Sequence, residues 1–235
     1  MNHLFILSSA IHTKFGMYDT DQRVLQTHKT INSIKQRVPN ARIVIIESGG
    51  YAIPKDVLAN LIDQVTLIVD MSSHPNVQAI HDSTPNWDLV KNVCEVMCFN
   101  LAFPTLEQHK VFDGVDRIHK ISGRYELNDH FDPAIYEKYT NKIIFSPKMN
   151  NMYDKGMKIP YMYISRLWSW PKCHHQLVKD FYQKAIIEMK KRTQKNWYVD
   201  IEHLLYKFLP QKHIHEVPLI GIQGNLAANR DFVSN

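Results

Sequence analysis

Residues 115–132, VDRIHKISGRYELNDHFD, join two unlike patterns. Val115, Ile118 and Ile121 open the stretch as a buried apolar strand would. Lys120, Ser122, Gly123, Arg124, Tyr125, Asn128 and Asp129 then crowd into a short span. A turn with a solvated face would explain the second half. So would the floor of a site that holds a phosphate and a polar substrate. The rest of the chain decides which neighbours this strand end receives.

Upstream, strands and helices alternate. Residues 4–10 (LFILSSA) form a compact apolar run that predicts a first strand. Val24, Ile31, Ile34 and Val38 then recur at helical spacing; Thr20 or Asp21 can cap the start, and Pro39 follows the end. RIVIIESGG predicts a second strand, PKDVLANLI a short helix and QVTLIVD a third strand. A longer helix is expected over 86–103, stopped by Pro104. Downstream, NKIIFS and MYISRLWSW predict further strands. Residues 174–192 predict an amphipathic helix with Leu177, Val178, Phe181, Ala185, Ile186 and Met189 on one face. A last helix is expected over roughly 198–209, and the tail beyond it is irregular, with one short strand.

This alternation predicts an α/β fold: a mixed, mostly parallel sheet flanked by helices, in a single domain. Ligands of such sheets bind beyond the carboxyl ends of the strands. Ser8-Ser9, Glu47-Ser48, Asp70 and Lys120-Ser122-Gly123-Arg124 would then meet at one edge. The polar half of the opening stretch acquires neighbours of the same kind.

Composition narrows the class. At 235 residues the chain can bury one sizeable core and is short for two typical domains. Hydrophobic residues at 44% and charged residues at 22% fit an ordinary globular enzyme or binding domain. No run of about 18 apolar residues stands out, so no transmembrane segment is expected. MNHLFILSSAIH lacks a basic leader and predicts a strand rather than a signal peptide. Cys94, Cys98 and Cys173 do not make a disulfide framework, and a reducing, cytoplasmic setting is expected. The net charge of +5 permits a nucleotide, a nucleic acid or a phospholipid surface as partner without demanding one. The 13 histidines are scattered, with no H-x-E-x-x-H or C-x-x-C spacing, which argues against structural zinc.

Arg23, Thr27, Thr30, Ser33 and Ile34 of the first helix, followed by ARIVIIES, resemble the opening of GT-A-type glycosyltransferases. KISGRYELND and the blocks ISRLWSWPK and DIEHLLYKF resemble small glycosyltransferase-like proteins of bacteriophages and bacteria. The resemblance implies a GT-A-like, Rossmann-like fold, with residues 1–114 as a nucleotide-binding half and 115–235 as a catalytic and acceptor half. It implies transfer of a hexosyl or pentosyl group from a nucleoside-diphosphate sugar to an acceptor hydroxyl. The acceptor would be a surface glycan or a modified base of phage DNA, in the host cytoplasm if the protein is viral.

One departure bears on the cofactor. GT-A enzymes usually carry Asp-x-Asp at the end of the fourth strand, where it holds a divalent cation on the diphosphate. Here that place reads ISGRYELND. The literal Asp19-Thr20-Asp21 precedes the first helix, where capping explains it. Two readings stay open. Lys120 and Arg124 neutralise the leaving diphosphate in place of a metal. Alternatively, Asp129 with Asn128 holds Mg²⁺ or Mn²⁺ through oxygen ligands.

Glycosyl transfer needs a stabilised leaving group, in-line substrates and, in the inverting case, a base for the acceptor proton. In YVDIEHLLYKF, Asp200 and Glu202 fall in the first turn of a late helix, where GT-A enzymes often place a base; the helix dipole alone would also favour acids there. His203 could orient the acceptor. Ser8 or Ser9 could bond ribose or phosphate, and Glu47 reads equally as a ribose acceptor or a turn residue. Arg23 reaches phosphate only if its helix starts at the site. Ser122, Gly123 and Arg124 would meet the donor, Gly123 by close backbone approach. Tyr125, Arg166 and Trp168 would meet the acceptor; in a strand, Arg166, Trp168 and Trp170 share one face.

Rival classes remain. One is a non-catalytic nucleotide- or glycan-binding module on the same fold. Another is a phosphotransferase or nucleotidyltransferase, although no G-x4-G-K-[ST] phosphate loop is present.

Overall fold

A computed structural model of the chain describes residues 1–151, 158–195, 197, 200–226 and 231–235. The first half runs β1 (His3–Ser9), α1 (Thr20–Arg37), β2 (Arg42–Glu47), α2 (Lys55–Ile62), β3 (Leu67–Asp70), α3 (Pro75–Ser83), α4 (Trp87–Gln108) and β4 (Arg117–Ser122). The second half runs β5 (Tyr125–Leu127), α5 (Pro133–Lys138), β6 (Ile143–Phe145), β7 (Met149–Asn150), β8 (Tyr161–Met162), β9 (Leu167–Pro171), α6 (His175–Thr193), α7 (Ile201–Phe208), β10 (Ile214–Glu216), β11 (Ile222–Asn225) and β12 (Phe232–Ser234).

The central sheet has seven strands in the order β10-β6-β9-β4-β1-β2-β3. All neighbours are parallel except β9, which runs against both β4 and β6. The expected mixed, mostly parallel sheet in a single domain is therefore what forms, and it crosses the boundary at residue 114 without a break. The register sets Ser8 beside Ser122 and Ser9 beside Glu47. β1 lies between β2 and β4, so the chain leaves its carboxyl end in opposite directions and opens a crevice there.

Strand alternation divides the core. Leu4, Ile6, Val44, Ile46 and Ile118 face α4 and α6 on one side, with Phe99, Phe103, Phe181 and Tyr182. Phe5, Leu7, Ile43, Ile45 and Ile121 face the other side, against Ile31 and Ile34 of α1 and Phe131. Helices thus cover both faces, as a buried parallel sheet requires.

Several element expectations need correction. The cap of α1 is Asp19, whose side chain accepts from the Gln22 amide at 2.8 Å while the Gln22 side chain accepts from the Asp19 amide. Thr20 and Asp21 lie inside the helix. Pro104 does not stop α4, which continues to Gln108 because Leu106 buries beyond it. α4 is also long and apolar enough to cross a bilayer by length and composition alone, a test that a core helix passes as well, and most of it is buried inside the fold. The run 162–170 is not one strand: β8 ends at Met162 and β9 begins at Leu167. α7 begins after its cap Asp200, and Tyr198 and Val199 lie outside the described residues. The tail supplies three strands rather than one, and β11 and β12 join β5 in a small antiparallel sheet.

Candidate active site

A cavity of about 610 Å³ opens at the carboxyl ends of β1 and β4, a volume suited to a small polar ligand. Its floor is Ser8, Ser9, Ser122 and Gly123. The Gly123 amide donates to the Ser8 carbonyl at 2.8 Å, and the Thr27 hydroxyl approaches the Gly123 carbonyl at 3.4 Å. A Cβ at position 123 would stand 3.3 Å from the Ser8 oxygen, so the small residue fits a packed junction of β1, β4 and α1.

Two guanidinia line the cavity. Arg124 and Arg166 are half-buried, and neither makes a side-chain hydrogen bond or ion pair among the described residues. Arg124 Nε is buried and unsatisfied. Both groups lie against the Tyr125 ring, at 5.2 Å and 5.7 Å from its centre. Tyr125 itself is 1% exposed, so a rigid aromatic plate fixes both cations.

The start of α7 lines the same cavity beside Arg166. Asp200 caps the helix, accepting from the His203 amide at 3.0 Å and from His203 Nδ1 at 2.5 Å. Glu202 follows in the first turn. Its Oε1 accepts from the Ser165 amide at 3.0 Å and the Ser165 hydroxyl at 3.2 Å. Its other oxygen has no partner among the described residues, and the side chain lines the cavity. Burial, then the nearby Asp200 charge, push the Glu202 carboxyl above its usual range, against the opposing pull of Ser165 and Arg166. A carboxylate held by one oxygen, open at the other and shifted towards neutrality can take a proton.

Several expected site residues sit elsewhere. Lys120 is fully buried and lines no part of the cavity. Its ammonium donates to Ser122 Oγ at 3.0 Å and the Ser165 carbonyl at 2.7 Å, and lies 2.5 Å from a carboxylate oxygen of Glu95. It ties three walls together instead of facing a phosphate. Burial lowers its pKa, while the Glu95 charge raises it.

Glu47 is likewise fully buried behind the wall. It accepts from the Ile11 and Gly49 amides at 3.0 and 2.7 Å, which folds the loop after β1 onto the end of β2. Desolvation pushes its carboxyl up to about 7.

Arg23 borders the cavity, but its guanidinium donates to the carbonyls of Ala10, Phe15 and Tyr18 and so pins the loop leading into α1. Asp129 is exposed, pairs with Arg37, and lies outside the cavity. Asn128 beside it donates to Ser234 Oγ at 3.2 Å. Trp168 is buried in the core, stacked on Phe145 at 5.1 Å, because β9 turns it away from the cavity. His203 is also buried; its Nε2 meets Asn151 Oδ1 at 2.8 Å, which fastens α7 to the segment after β7.

The cavity also recruits residues that periodicity did not single out. Glu95 reaches it from α4, and Trp87, Asp88 and Lys91 form the rim at the start of that helix. A lone carboxylate inside the apolar run VCEVMCF was the available signal for Glu95. Among the described residues no three His, Cys, Asp or Glu side chains gather as a metal-ligand set.

No family model and no curated protein matches the chain by sequence. Solved structures share its architecture. Core-mannan synthase A from Aspergillus fumigatus, in its Mn/GDP form, superposes with a TM-score of 0.52 at 6% identity, over 96% of this chain and 74% of that one. A nucleoside-diphosphate-sugar pyrophosphorylase from Vibrio cholerae RC9 superposes with a TM-score of 0.50 at 12% identity, over 93% of each chain. The fold is thus a GT-A-like, Rossmann-like one, with the cavity at the switch point of its sheet.

Proposed function

We propose that the protein is a nucleotide-sugar-dependent glycosyltransferase. The observation that carries this reading is the presence, in one cavity, of two guanidinia without a side-chain hydrogen bond or ion pair among the described residues and a carboxylate open at one oxygen among those residues. The donor's diphosphate lies against Arg124 and Arg166, where charge developing on the leaving group is stabilised. Glu202 takes the proton of the acceptor hydroxyl as that oxygen attacks the anomeric carbon. Ser165, by holding Oε1, aims the free oxygen. Asp200 acts indirectly, through the helix start it caps. The acceptor is a hydroxyl of a glycan or of a modified base in DNA; steep salt dependence of binding would mark the DNA branch. The likeness to a mannan synthase in its Mn/GDP form and to a nucleoside-diphosphate-sugar pyrophosphorylase supports nucleotide-sugar chemistry.

The test is release of nucleoside diphosphate from a panel of nucleotide sugars. Glu202→Gln should lower turnover about 10²- to 10⁴-fold with donor affinity kept. Full turnover in that variant would sink the assignment of the base. Donor binding without turnover in the wild type, against every acceptor tried, would favour a binding module.

The pyrophosphorylase likeness favours one second reading, nucleotidyl transfer. Adding inorganic pyrophosphate to the nucleotide sugar separates the two. Nucleoside triphosphate as product would replace the glycosyltransferase reading.

A further inference from the structure

A divalent cation on the donor diphosphate is what the GT-A resemblance implies at the end of the fourth strand, and the residues there do not suit one. A hard dication wants several oxygen ligands, carboxylates foremost. At the end of β4 stand Ser122, Gly123 and Arg124, and the one charged side chain among them is a cation. The carboxylates that border the cavity are engaged elsewhere. Glu95 lies against the Lys120 ammonium, Asp88 lies 3.1 Å from Lys91, and Asp200 accepts from His203. Glu202, held through Oε1 by Ser165, stands at the start of α7 near Arg166, and among the described residues no three possible metal ligands gather. A metal at the end of β4 would lie among positive charges. Burial foremost, and the Arg124 charge in addition, lower the pKa values of both Arg23 and Lys120.

The same charges are what a diphosphate needs when no metal is present. Two planar forks offer paired donors to phosphate oxygens, and neither fork has another partner among the described residues. Contact with the buried Tyr125 ring holds both groups in place before the ligand arrives, which limits the ordering cost on binding. The buried, unsatisfied Arg124 Nε is a donor already stripped of water.

We propose that Arg124 and Arg166, braced on Tyr125, bind the nucleoside diphosphate without a divalent metal ion. This rests on the nucleotide-sugar reading of the same cavity. The two guanidinia supply the positive charge that a cation otherwise brings to the leaving group. No proton or electron moves in this step; the ligand is held as the anion.

The test is titration calorimetry with UDP, GDP and ADP, each in EDTA and again in excess Mn²⁺. The tightest-binding diphosphate should show Kd values within about threefold of one another in the two buffers. Arg124→Gln and Arg166→Gln should each weaken it about 10- to 100-fold in EDTA. The parent nucleoside, which lacks phosphates, should bind all variants alike, and that equality reports an intact fold. Arg124→Lys should fall between wild type and Arg124→Gln, because charge survives and the fork does not. Binding that appears only with Mn²⁺ would overturn the metal-free clamp and leave the transferase reading standing. Metal-independent binding untouched by either Gln variant would overturn the assignment of these arginines. Failure of every diphosphate in both buffers would remove the nucleotide-sugar reading itself, and this proposal with it.

Discussion

Lys120→Met should destabilise the protein by about 3–5 kcal/mol, the usual cost of breaking a buried ion pair from one side. The substitution preserves most of the side-chain volume and removes the ammonium. Three groups then lose their shared partner: Glu95, whose side chain is 15% exposed, the Ser165 carbonyl and Ser122 Oγ. Most of the cost comes from the carboxylate left uncompensated beside the cavity. Coulomb attraction between Lys120 and Glu95 was largely offset by their desolvation in the wild type. The double variant Lys120→Met/Glu95→Gln should therefore recover about half of the loss or more. Urea unfolding followed by circular dichroism gives both numbers from midpoints at constant slope. A single-variant loss under about 1 kcal/mol, or a double variant no better than the single, would refute the claim that this lysine is held as a charged structural tie.

Other perturbations probe different parts of the fold. Trp168→Ala should cost about 3–5 kcal/mol, with nucleotide affinity unchanged in the surviving folded fraction, since Trp168 packs in the core; thermal melts and nucleotide titration together check this. Gly221 has φ +83°, and a Cβ there would lie 2.2 Å from the Phe131 backbone, so Gly221→Ala should lose about 3 kcal/mol or more in urea unfolding. Burial holds His3 and His175 down to about 4. The unfolded chain then binds more protons than the folded one between about pH 6.5 and 4, so stability falls as the pH drops through that window. His175→Gln, which keeps an acceptor for Trp170 Nε1, should flatten that acid slope, and an unchanged slope would argue against it. Glu47, pushed up to about 7, acts in the opposite sense: its contribution weakens as the pH rises from about 4.5 to about 7.

The sheet was legible from local pattern because buried parallel strands are continuous apolar runs, and RIVIIE and LFILSS carry little else. The edge where their polar ends meet followed from direction alone. Which polar end faces ligand did not. Lys120 and Arg124 look alike in a string of letters, yet one alternation of the strand buries the first under α4, and the end of the strand frees the second. Trp168 misled for a related reason. Its alternation with Arg166 holds only within a strand, and β9 starts one residue after the arginine. Glu47 and Arg23 organise loops through backbone groups, and no side-chain pattern announces such partners. The start of α7 was readable as a helix start, and what separates Glu202, which lines the cavity and is held by Ser165, from Asp200, which caps the helix, is their hydrogen bonds.

The single reversed strand has an architectural consequence. β6 arrives at the cavity edge by its carboxyl end, whereas β9 departs from that edge by its amino end. The described residues that follow β6 and those that precede β9 therefore stand on the same rim, and Arg166 is where the chain re-enters the sheet. A change of length between β6 and β9 alters one wall of the vestibule and the β7–β8 pairing, and leaves the registers of the seven-stranded sheet untouched. The floor, by contrast, is spelled by residues at the ends of β1 and β4 that double as sheet anchors. Variation is cheap on one bank of this cavity and expensive on the other.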